Sequence, residues 1–269
     1  MSTGSATVLE RILAETREEV ERRKREVPLA SAQPGGASAL RPAAAGPAGA
    51  FRDALSGPQI GVIAEFKRRS PSAGPLHEQP DVAAIVSAYE RGGAVAVSVL
   101  TEGPNFGGAL EDLGAARAAC ALPLLRKDFI VDPYQLHEAR DAGADAVLLI
   151  VAALAPAELA SLHEAARSIG LDVLVEVHDR AELRVALELG AEILGINNRD
   201  LRDFSVDVER TARLMDDVPP GVTVVSESGI ATAAQLSRLA DLGVQAVLVG
   251  EALMRAGDPA GALAQLRSI

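Results

Sequence analysis

Eight short apolar runs alternate with eight amphipathic segments between residues 60 and 269, and this alternation predicts an α/β protein of the (β/α)8 TIM barrel type. Successive runs lie roughly 25 residues apart, which suits one strand, one helix and two short loops. The runs are mostly apolar and do not alternate with polar residues, as in strands of a parallel sheet that is buried on both faces and covered by helices. We expect one domain over 1–269, with an N-terminal helical extension and linker in 1–50 and the barrel in 60–269.

Two kinds of apolar run predict the strands. Four of them follow a glycine that ends a helix, and the other four lie between these. In chain order the runs are GVIAEFK at 61, GGAVAVSVL at 92, PLLRKD at 123, GADAVLLI at 143, DVLVEV at 172, GAEILGIN at 190, VTVVSES at 222 and GVQAVLVG at 243.

The segments between the runs have the three-to-four-residue period of amphipathic helices. Two begin with proline at the first helical position, after Asp132 and Ala155, where a backbone N–H has no helical partner anyway. A doubly wound open sheet is the alternative, but it would need a GxGxxG-type turn after the first strand, and KRRSPSAG is not one. The predicted helices are 81–91, 109–119, 133–142, 156–168, 179–189, 207–216, 232–241 and 258–267.

The chain before the barrel has two parts. Residues 7–27 are dense in charge and predict an amphipathic helix with a narrow apolar face. Residues 30–50 are rich in Ala, Gly and Pro, which predicts a linker or mobile segment. The apolar stripe of the helix consists of Leu9, Ile12, Leu13, Thr16 and Val20.

Composition limits the classes of function. The single cysteine excludes an intrachain disulfide and indicates a reducing compartment. No apolar run approaches the length of a membrane span, and the N-terminus lacks the apolar region of a signal peptide, so we expect a soluble cytoplasmic protein. A net charge of −11 argues against a nucleic-acid or anionic-membrane surface, although a local pocket could still bind a small anion.

Lysine is scarce in this chain. Of 26 basic residues only Lys24, Lys67 and Lys127 are lysines. An arginine stays protonated, whereas a desolvated lysine can transfer a proton or form an imine. Lys67 and Lys127 both fall at the ends of predicted strands, which makes them candidates for chemistry.

The carboxyl ends of five predicted strands carry polar side chains to one mouth of the barrel, where the sites of this fold lie. A single charge there could be a rim salt bridge, but inward charges meeting from several strands are costly unless they are paired or used. The first strand supplies Glu65 and Lys67, the third Lys127, the fifth Glu176, the sixth Asn197 and Arg199, and the seventh Glu227 and Ser228.

The loops after the last two strands suggest a phosphate site. Gly229 in SESGI and Gly250 in VGEAL occupy the positions where barrels commonly bind phosphate through backbone N–H groups, and Ser70 could add a hydroxyl. Glycine is also common in such loops for reasons of turn geometry alone. Phe106 and Phe129 in or beside mouth loops suggest an apolar or aromatic ligand part, or ordinary loop packing.

The remaining candidate ligands show no metal-site spacing. The four histidines are dispersed and Cys120 stands alone, so we predict no metal site. His137 and His163 fall on predicted helices, as surface or satisfied residues. His178 either shares a face with Glu176 or has already turned into the following loop.

Seven segments together resemble the indole-3-glycerol phosphate synthase family in order and spacing. They are EFKRRSPSAG, SVLTEGPNFGGALEDL, LLRKDFIVDPYQLHEARDAGADAVLLI, LVEVHDRAEL, GINNRDL, VSESGI and VGEALM. The resemblance covers about residues 7–267. It implies a (β/α)8 barrel whose N-terminal helical extension lies over the mouth. It also implies a reaction of tryptophan biosynthesis without metal or cofactor, in which 1-(2-carboxyphenylamino)-1-deoxyribulose 5-phosphate closes to an indole with loss of CO₂ and water.

The resemblance also implies roles for the residues that match the family's motifs. Lys127 corresponds to the general acid of ring closure, and Glu176 to the base of dehydration. Lys67 corresponds to a lysine that contacts the substrate carboxylate and can act as acid in dehydration, with Glu65 orienting it. Matches to residues that position or bind substrate are Asn197, Glu227, Ser228 and Arg199, with Phe106 and Phe129 at the aryl end and Ser70, Gly229, Gly250 and Glu251 at the phosphate.

The chain departs from the family pattern in three places. The segment 30–50 is unusually rich in Ala, Gly and Pro, and Ala109 and Ala252 stand where serine is frequent. If a serine hydroxyl assists phosphate binding in the family, binding here depends more on backbone donors. The resemblance leads us to expect a monomer, with a small phosphorylated substrate and other tryptophan-pathway enzymes as candidate partners.

Three alternatives use the same fold differently. A phosphoribosylanthranilate isomerase would need a Cys or Asp base, and Cys120 lies near the end of a predicted helix. A class I aldolase would use Lys127 as an imine. A non-enzymatic binding barrel would have no need of Glu and Lys at so many strand ends.

Overall fold

The structure, a computed structural model, describes residues 7–28, 46–70, 74–77, 80–201 and 204–268. Eight parallel strands close into a barrel in which neighbours in sequence pair and the first strand pairs with the last. This confirms the (β/α)8 prediction and excludes an open doubly wound sheet. The strands are β1 (Gly61–Phe66), β2 (Ala96–Leu100), β3 (Leu124–Lys127), β4 (Ala146–Ile150), β5 (Asp172–Val177), β6 (Ile193–Asn197), β7 (Thr223–Glu227) and β8 (Ala246–Val249).

Helices surround the barrel and bury one face each against it. Asp81, Asp132, Asp179, Thr232 and Asp258 cap helices with side-chain oxygens, and Pro133 and Pro156 begin helices as predicted. In chain order the helices are α1 (Val8–Glu26), α2 (Ala50–Leu55), α3 (Val82–Arg91), α4 (Leu110–Ala119), α5 (Pro133–Asp141), α6 (Pro156–Ser168), α7 (Arg180–Leu189), α8 (Arg210–Met215), α9 (Ala233–Asp241), α10 (Glu251–Met254) and α11 (Pro259–Leu266).

The predicted helix over 207–216 is wrong at its start. Residues 207–209 belong to a turn because the backbone N–H of Asp207 donates to the carbonyl of Asn198, 2.8 Å away, and Val206 forms an isolated bridge with Arg199. These contacts tie the segment back to the end of β6, so the helix starts only at Arg210.

Two short elements have no counterpart in the sequence predictions. They are α2 and a 3-10 turn at Val151–Ala153 after β4. A two-stranded hairpin also pairs Arg69–Ser70 with Gly74–Pro75. Each element is too short to show a hydrophobic period of its own.

Helix α1 has the predicted amphipathic character. Thr7 and Glu10 form a capping box at its start, and Ile12, Leu13 and Val20 from the predicted stripe are buried. Its last turns are held by ion pairs to α5. Because α5 begins just after the carboxyl end of β3, this contact places α1 beside the barrel mouth.

The anchoring of α1 to α5 uses two ion pairs. Nε of Arg23 lies 2.7 Å from a carboxylate oxygen of Glu138, and Nζ of Lys24 lies 2.5 Å from one of Asp132. The hydroxyl of Tyr134 donates to the carbonyl of Val27 at 3.1 Å. Lys24 therefore serves to hold α1 against the start of α5, and it does not line the mouth cavity described below.

Helix α2 covers the opposite, N-terminal end of the barrel. Phe51 is fully buried there, and the N–H groups of Phe51 and Arg52 both donate to Asp172, the first residue of β5, at 3.0 Å. Most of the predicted linker over 30–50 lies outside the described residues, but Ala50 already belongs to this helix. None of the helices in the described ranges is both long and apolar enough to cross a bilayer.

Candidate active site

All fourteen residues predicted for the site line one cavity of about 430 Å³ at the carboxyl ends of the strands. Because parallel strands of a barrel all point the same way, residues far apart in sequence meet at this end. The predicted residues that line it are Glu65, Lys67, Ser70, Phe106, Lys127, Phe129, Glu176, Asn197, Arg199, Glu227, Ser228, Gly229, Gly250 and Glu251.

Lys127 lies at the centre of an ion cluster. Its Nζ lies 3.0 Å from Oε2 of Glu176 and 3.2 Å from Oε2 of Glu227, so one ammonium bridges carboxylates from β5 and β7. Both carboxylates are almost fully buried. A glycine makes room for one of them, since a Cβ at Gly195 would lie 2.3 Å from Oε1 of Glu227.

The cluster shifts the pKa values of its members in different directions. Burial opposes the charge on Lys127, but the surrounding carboxylates, Glu176 first, outweigh it and hold the pKa of Lys127 above its usual range. Burial also opposes the charge on Glu176, yet Lys127 and His178 hold the pKa of Glu176 well below normal. Burial raises the pKa of Glu227 to about 7, despite the attraction of Lys127. Glu227 is thus the member that titrates near neutral pH.

A second ion pair lies beside the cluster on β1. Nζ of Lys67 lies 2.8 Å from Oε1 of Glu65, and Oε2 of Glu65 accepts from the hydroxyl of Ser98 at 3.4 Å. Gly250 faces this pair, because a Cβ there would lie 2.5 Å from Oε1 of Glu65 and 3.1 Å from Nζ of Lys67. The absence of a side chain at Gly250 therefore leaves space for both charged groups.

The end of the cavity near β7 and β8 is formed by backbone turns. Ser228 and Gly229 both have positive φ, of 66° and 79°, which turns the chain sharply after β7. Ser70, in the hairpin after β1, reaches the cavity too. Ala252 also lines the cavity and contributes a methyl group there.

The side of the cavity near β2 and β3 carries two aromatic rings, and the end of β6 adds an amide and a guanidinium. The rings of Phe106 and Phe129 lie 6.5 Å apart at an angle of 39°. Oδ1 of Asn197 accepts from the N–H of Arg199 at 3.0 Å, and a guanidinium N–H of Arg199 donates to the carbonyl of Phe204 at 3.0 Å.

Sequence reasoning missed several lining residues, among them Glu102, Phe204 and Arg255. Glu102 follows the end of β2 just as the other glutamates follow or end their strands, which was a usable signal. Its buried carboxylate accepts from the N–H groups of Asn105 and Phe106, both at 2.8 Å, and burial raises its pKa. Phe204 has a φ of 60° in a loop whose sequence gives no such indication.

Cys120 and the histidines lie mostly elsewhere. Cys120 is buried at the end of α4, away from the mouth cavity, and His163 is buried on α6. His178 is the exception, because it contacts Glu176. Across the described ranges no group of three or more His, Cys, Asp or Glu residues is arranged to hold a metal ion.

Several solved structures share this fold. One is 3-hexulose-6-phosphate synthase from Salmonella typhimurium, with a TM-score of 0.61, 18% identity, and coverage of 77% of this chain and 96% of that one. Another is a tryptophan synthase α-subunit from Pyrococcus furiosus, with a TM-score of 0.59, 15% identity, and coverage of 78% and 98%. At such low identity these likenesses support the fold alone.

Sequence comparisons are more specific. A model of the family described as indole-3-glycerol phosphate synthase matches residues 9–266. Indole-3-glycerol phosphate synthase 2 of Streptomyces coelicolor is 57% identical over 217 residues, covering 81% of this chain and 84% of that protein. The synthase of Mycobacteroides abscessus is 46% identical over 263 residues, covering 98% and 94%. The chain therefore belongs to the indole-3-glycerol phosphate synthase family of carboxy-lyases.

Proposed function

We propose that this chain converts 1-(2-carboxyphenylamino)-1-deoxyribulose 5-phosphate to indole-3-glycerol phosphate in tryptophan biosynthesis, by Lys/Glu acid–base catalysis. The observation that carries the proposal is the ammonium of Lys127 between Glu176 and Glu227 in the mouth cavity, with the Glu65–Lys67 pair beside it. The substrate is a small phosphorylated molecule with an aryl end, and it matches a cavity that has an aromatic end and a glycine-lined end. Because residues of one chain line the cavity, we expect the chain to act as a monomer.

Lys127 acts in ring closure. The aryl carbon that bears the carboxylate attacks the ketone carbon, and the ketone oxygen takes a proton from the Lys127 ammonium to become a hydroxyl. The carboxylate then leaves as CO₂, and its electron pair restores the aromatic ring. The raised pKa of Lys127 keeps this group protonated before substrate binds, which is the state a general acid needs.

The carboxylates around Lys127 favour its ammonium form and raise the pKa of Lys127. The proton is therefore released only as negative charge develops on the ketone oxygen. Protonation of Glu227, whose pKa is about 7, would reduce the charge that holds the proton on Lys127.

Dehydration uses the other charged groups. The new hydroxyl leaves as water with a proton from Lys67, which Glu65 orients, while Glu176 removes a proton to complete the indole double bond. Glu176 is ionised at neutral pH because its pKa is lowered, so it is ready to accept that proton. Asn197 and Ser228 position the substrate.

Binding divides between the two ends of the cavity. Phe106 and Phe129 hold the anthranilate ring, with Arg199 nearby. Ser70, Gly229, Gly250 and the backbone of Glu251 hold phosphate. Because Ala252 has no hydroxyl, phosphate binding relies on backbone donors at that point.

The alternatives fit less well. An aldolase imine requires a neutral amine, whereas the two carboxylates favour the ammonium form of Lys127. An isomerase of the phosphoribosylanthranilate type would need a Cys or Asp base at the mouth. Cys120 lies outside the cavity, and Asp128, which lines it, is already paired with Arg126 at 2.9 Å.

The test is a fluorescence assay for indoleglycerol phosphate formation by the wild type and Lys127→Arg. Arginine keeps the positive charge but does not release its proton readily, so we expect near-complete loss of turnover, by 10²-fold or more, in the range of one general acid. Lys24→Arg is the matched control, because Lys24 is paired on α1 and should tolerate arginine.

Two results would contradict the proposal. Wild-type turnover by Lys127→Arg would remove the role of Lys127. A covalent adduct on Lys127 after borohydride treatment with a ketose phosphate would favour the aldolase alternative instead.

A further inference from the structure

His178 is the buried titratable group next to the cluster to which the proposed reaction gives no role. It is the first residue after β5 and lies two residues beyond Glu176, and only 8% of its surface is exposed. Its Nε2 lies 3.3 Å from Oε1 of Glu176, and its Nδ1 lies 3.0 Å from Oε2 of Glu182 on α7. The imidazole is thus placed between two carboxylates.

The geometry fixes where the ring protons must be. A carboxylate oxygen offers only lone pairs, so Nδ1 must carry a proton to bond Glu182. If Nε2 then lacked a proton, its lone pair would face the lone pairs of Glu176. Oε1 of Glu176 and Nε2 of His178 are both buried without a hydrogen bond to any described residue, so each has only the other to compensate it.

A second contact fixes the carboxylate of Glu182 beside the ring. The same oxygen that faces Nδ1 also accepts from the backbone N–H of His178 at 2.7 Å. The backbone bond fixes Oε2 of Glu182 beside the ring, and a ring that turned away would lose the contact between Nδ1 and this oxygen. The 3-10 turn at 151–153, which packs against β5 and α7, carries only apolar side chains. The charged groups that act on His178 are Glu176 and Glu182, and Lys127 acts through the far oxygen of Glu176.

We propose that His178 is a doubly protonated positioning residue, which fixes Oε1 of Glu176 and leaves Oε2 to Lys127 and to the proton removed in dehydration. The proposal rests on the proposed function of Glu176 as the base. It makes the site a chain of alternating charges that runs from Glu182 through His178 and Glu176 to Lys127. Glu176 is then held ionised from both sides, once by each cation.

The carboxylates also favour the imidazolium energetically. Burial opposes the charge on His178, but Glu176 and Glu182 outweigh it and raise the pKa of His178 to about 10. An ordinary histidine, with a pKa of about 6.5, would be mostly neutral at pH 8. A charged ring at pH 8 is therefore a specific mark of this arrangement.

The first experiment reads the ring state in the intact wild type. ¹⁵N-histidine labelling with NMR detection at pH 7.5–8.5 should show both nitrogens of His178 protonated, because each faces a carboxylate. Assignment by elimination uses His77→Gln, His137→Gln and His163→Gln, which leave the cluster intact. A His178 ring that is neutral at pH 7.5 would overturn the proposal, and this readout depends on neither catalysis nor a mutation at position 178.

The second experiment compares kcat with KM. In His178→Gln, Oε1 of Glu176 loses the cation that positions it, so kcat should be lower by about tenfold and KM changed less than threefold. His163→Gln is the matched control, since it removes another buried histidine that does not line the cavity. A folded His178→Gln with the wild-type kcat would overturn the proposal. If the wild type itself forms no indoleglycerol phosphate, the proposed function fails, whatever the state of His178.

Discussion

Arg126 and Lys127 are consecutive residues of β3 whose side chains lie on opposite sides of the barrel wall. Lys127 points into the mouth cavity, whereas Arg126 is buried under α5, with 2% of its surface exposed. A strand alternates its side chains between two faces, so one strand end supplies both the proposed acid and a buried anchor beside it.

Arg126 joins the wall of the barrel to α5. Its guanidinium donates to the carbonyl of Gln135 at 2.7 Å, to Glu138 at 3.2 Å and to Asp128 at 2.9 Å. Glu138 also pairs with Arg23 on α1. The residues on either side of Lys127 are therefore fixed by a network that reaches the N-terminal helix.

Arg126→Met should destabilise the protein strongly. The change leaves the buried carboxylate of Asp128 without its cation, and breaking a buried pair from one side costs about 3–5 kcal/mol. Urea denaturation followed by circular dichroism measures the loss. Arg238→Met is the control, because its pair with Glu209 is exposed, and its midpoint should hardly move. Equal midpoints for the two variants would contradict the anchoring role of Arg126.

Gly195→Ala should reduce activity while the barrel still folds. The new Cβ would lie 2.3 Å from Oε1 of Glu227, so that carboxylate must move away from Lys127. We expect kcat/KM to fall at least about tenfold, which corresponds to about 1.4 kcal/mol of transition-state stabilisation. Gly114→Ala on α4 meets no neighbour within 4 Å and should keep full activity. Activity of Gly195→Ala at the wild-type level would show that the position of Glu227 is unimportant.

Glu227 should make stability depend on pH. Its pKa is about 7 in the folded protein, above the ordinary value of 4.5, so the folded state retains a proton that the unfolded chain has released. This contribution is fully present below pH 4.5 and is lost as pH rises through about 7. Glu227→Gln cannot titrate, so it does not lose this contribution. The melting temperature of the variant minus that of the wild type should therefore rise between pH 5 and pH 8. A difference that stays constant over this range would contradict the raised pKa of Glu227.

Glu102 should control the aryl end of the cavity. Glu102→Ala removes the acceptor for the N–H groups of Asn105 and Phe106, so Phe106 is no longer held over the cavity. We expect KM to rise about tenfold with kcat changed less than threefold, because the ring binds ground and transition states alike. Glu111→Ala, at an exposed position of α4, serves as control. A fall in kcat with unchanged KM would instead place Glu102 in the chemistry.

The sequence by itself determined the barrel and most of the site. The apolar runs and their spacing were sufficient because a strand buried on both faces and a helix packed on one face leave different hydrophobic periods. The site residues could be predicted because in this fold every strand ends at the same mouth, so Glu65, Lys127 and Glu176 had to converge there. All fourteen predicted site residues line the cavity, although their roles remain predictions.

Other features depend on distances between residues that are far apart in the chain, and only the folded structure shows them. The local sequence Glu176-Val177-His178 does not show whether His178 lies on the same face as Glu176 or turns into the loop. The answer depends on where Glu182 lies in the first turn of α7. The same holds for the pKa of Lys127, which depends on how many carboxylates come within about 3 Å of its Nζ. The sequence does not show these distances. Short elements such as α2 were invisible for a related reason, since tertiary packing of Phe51 against the barrel, and not a local period, holds them in place.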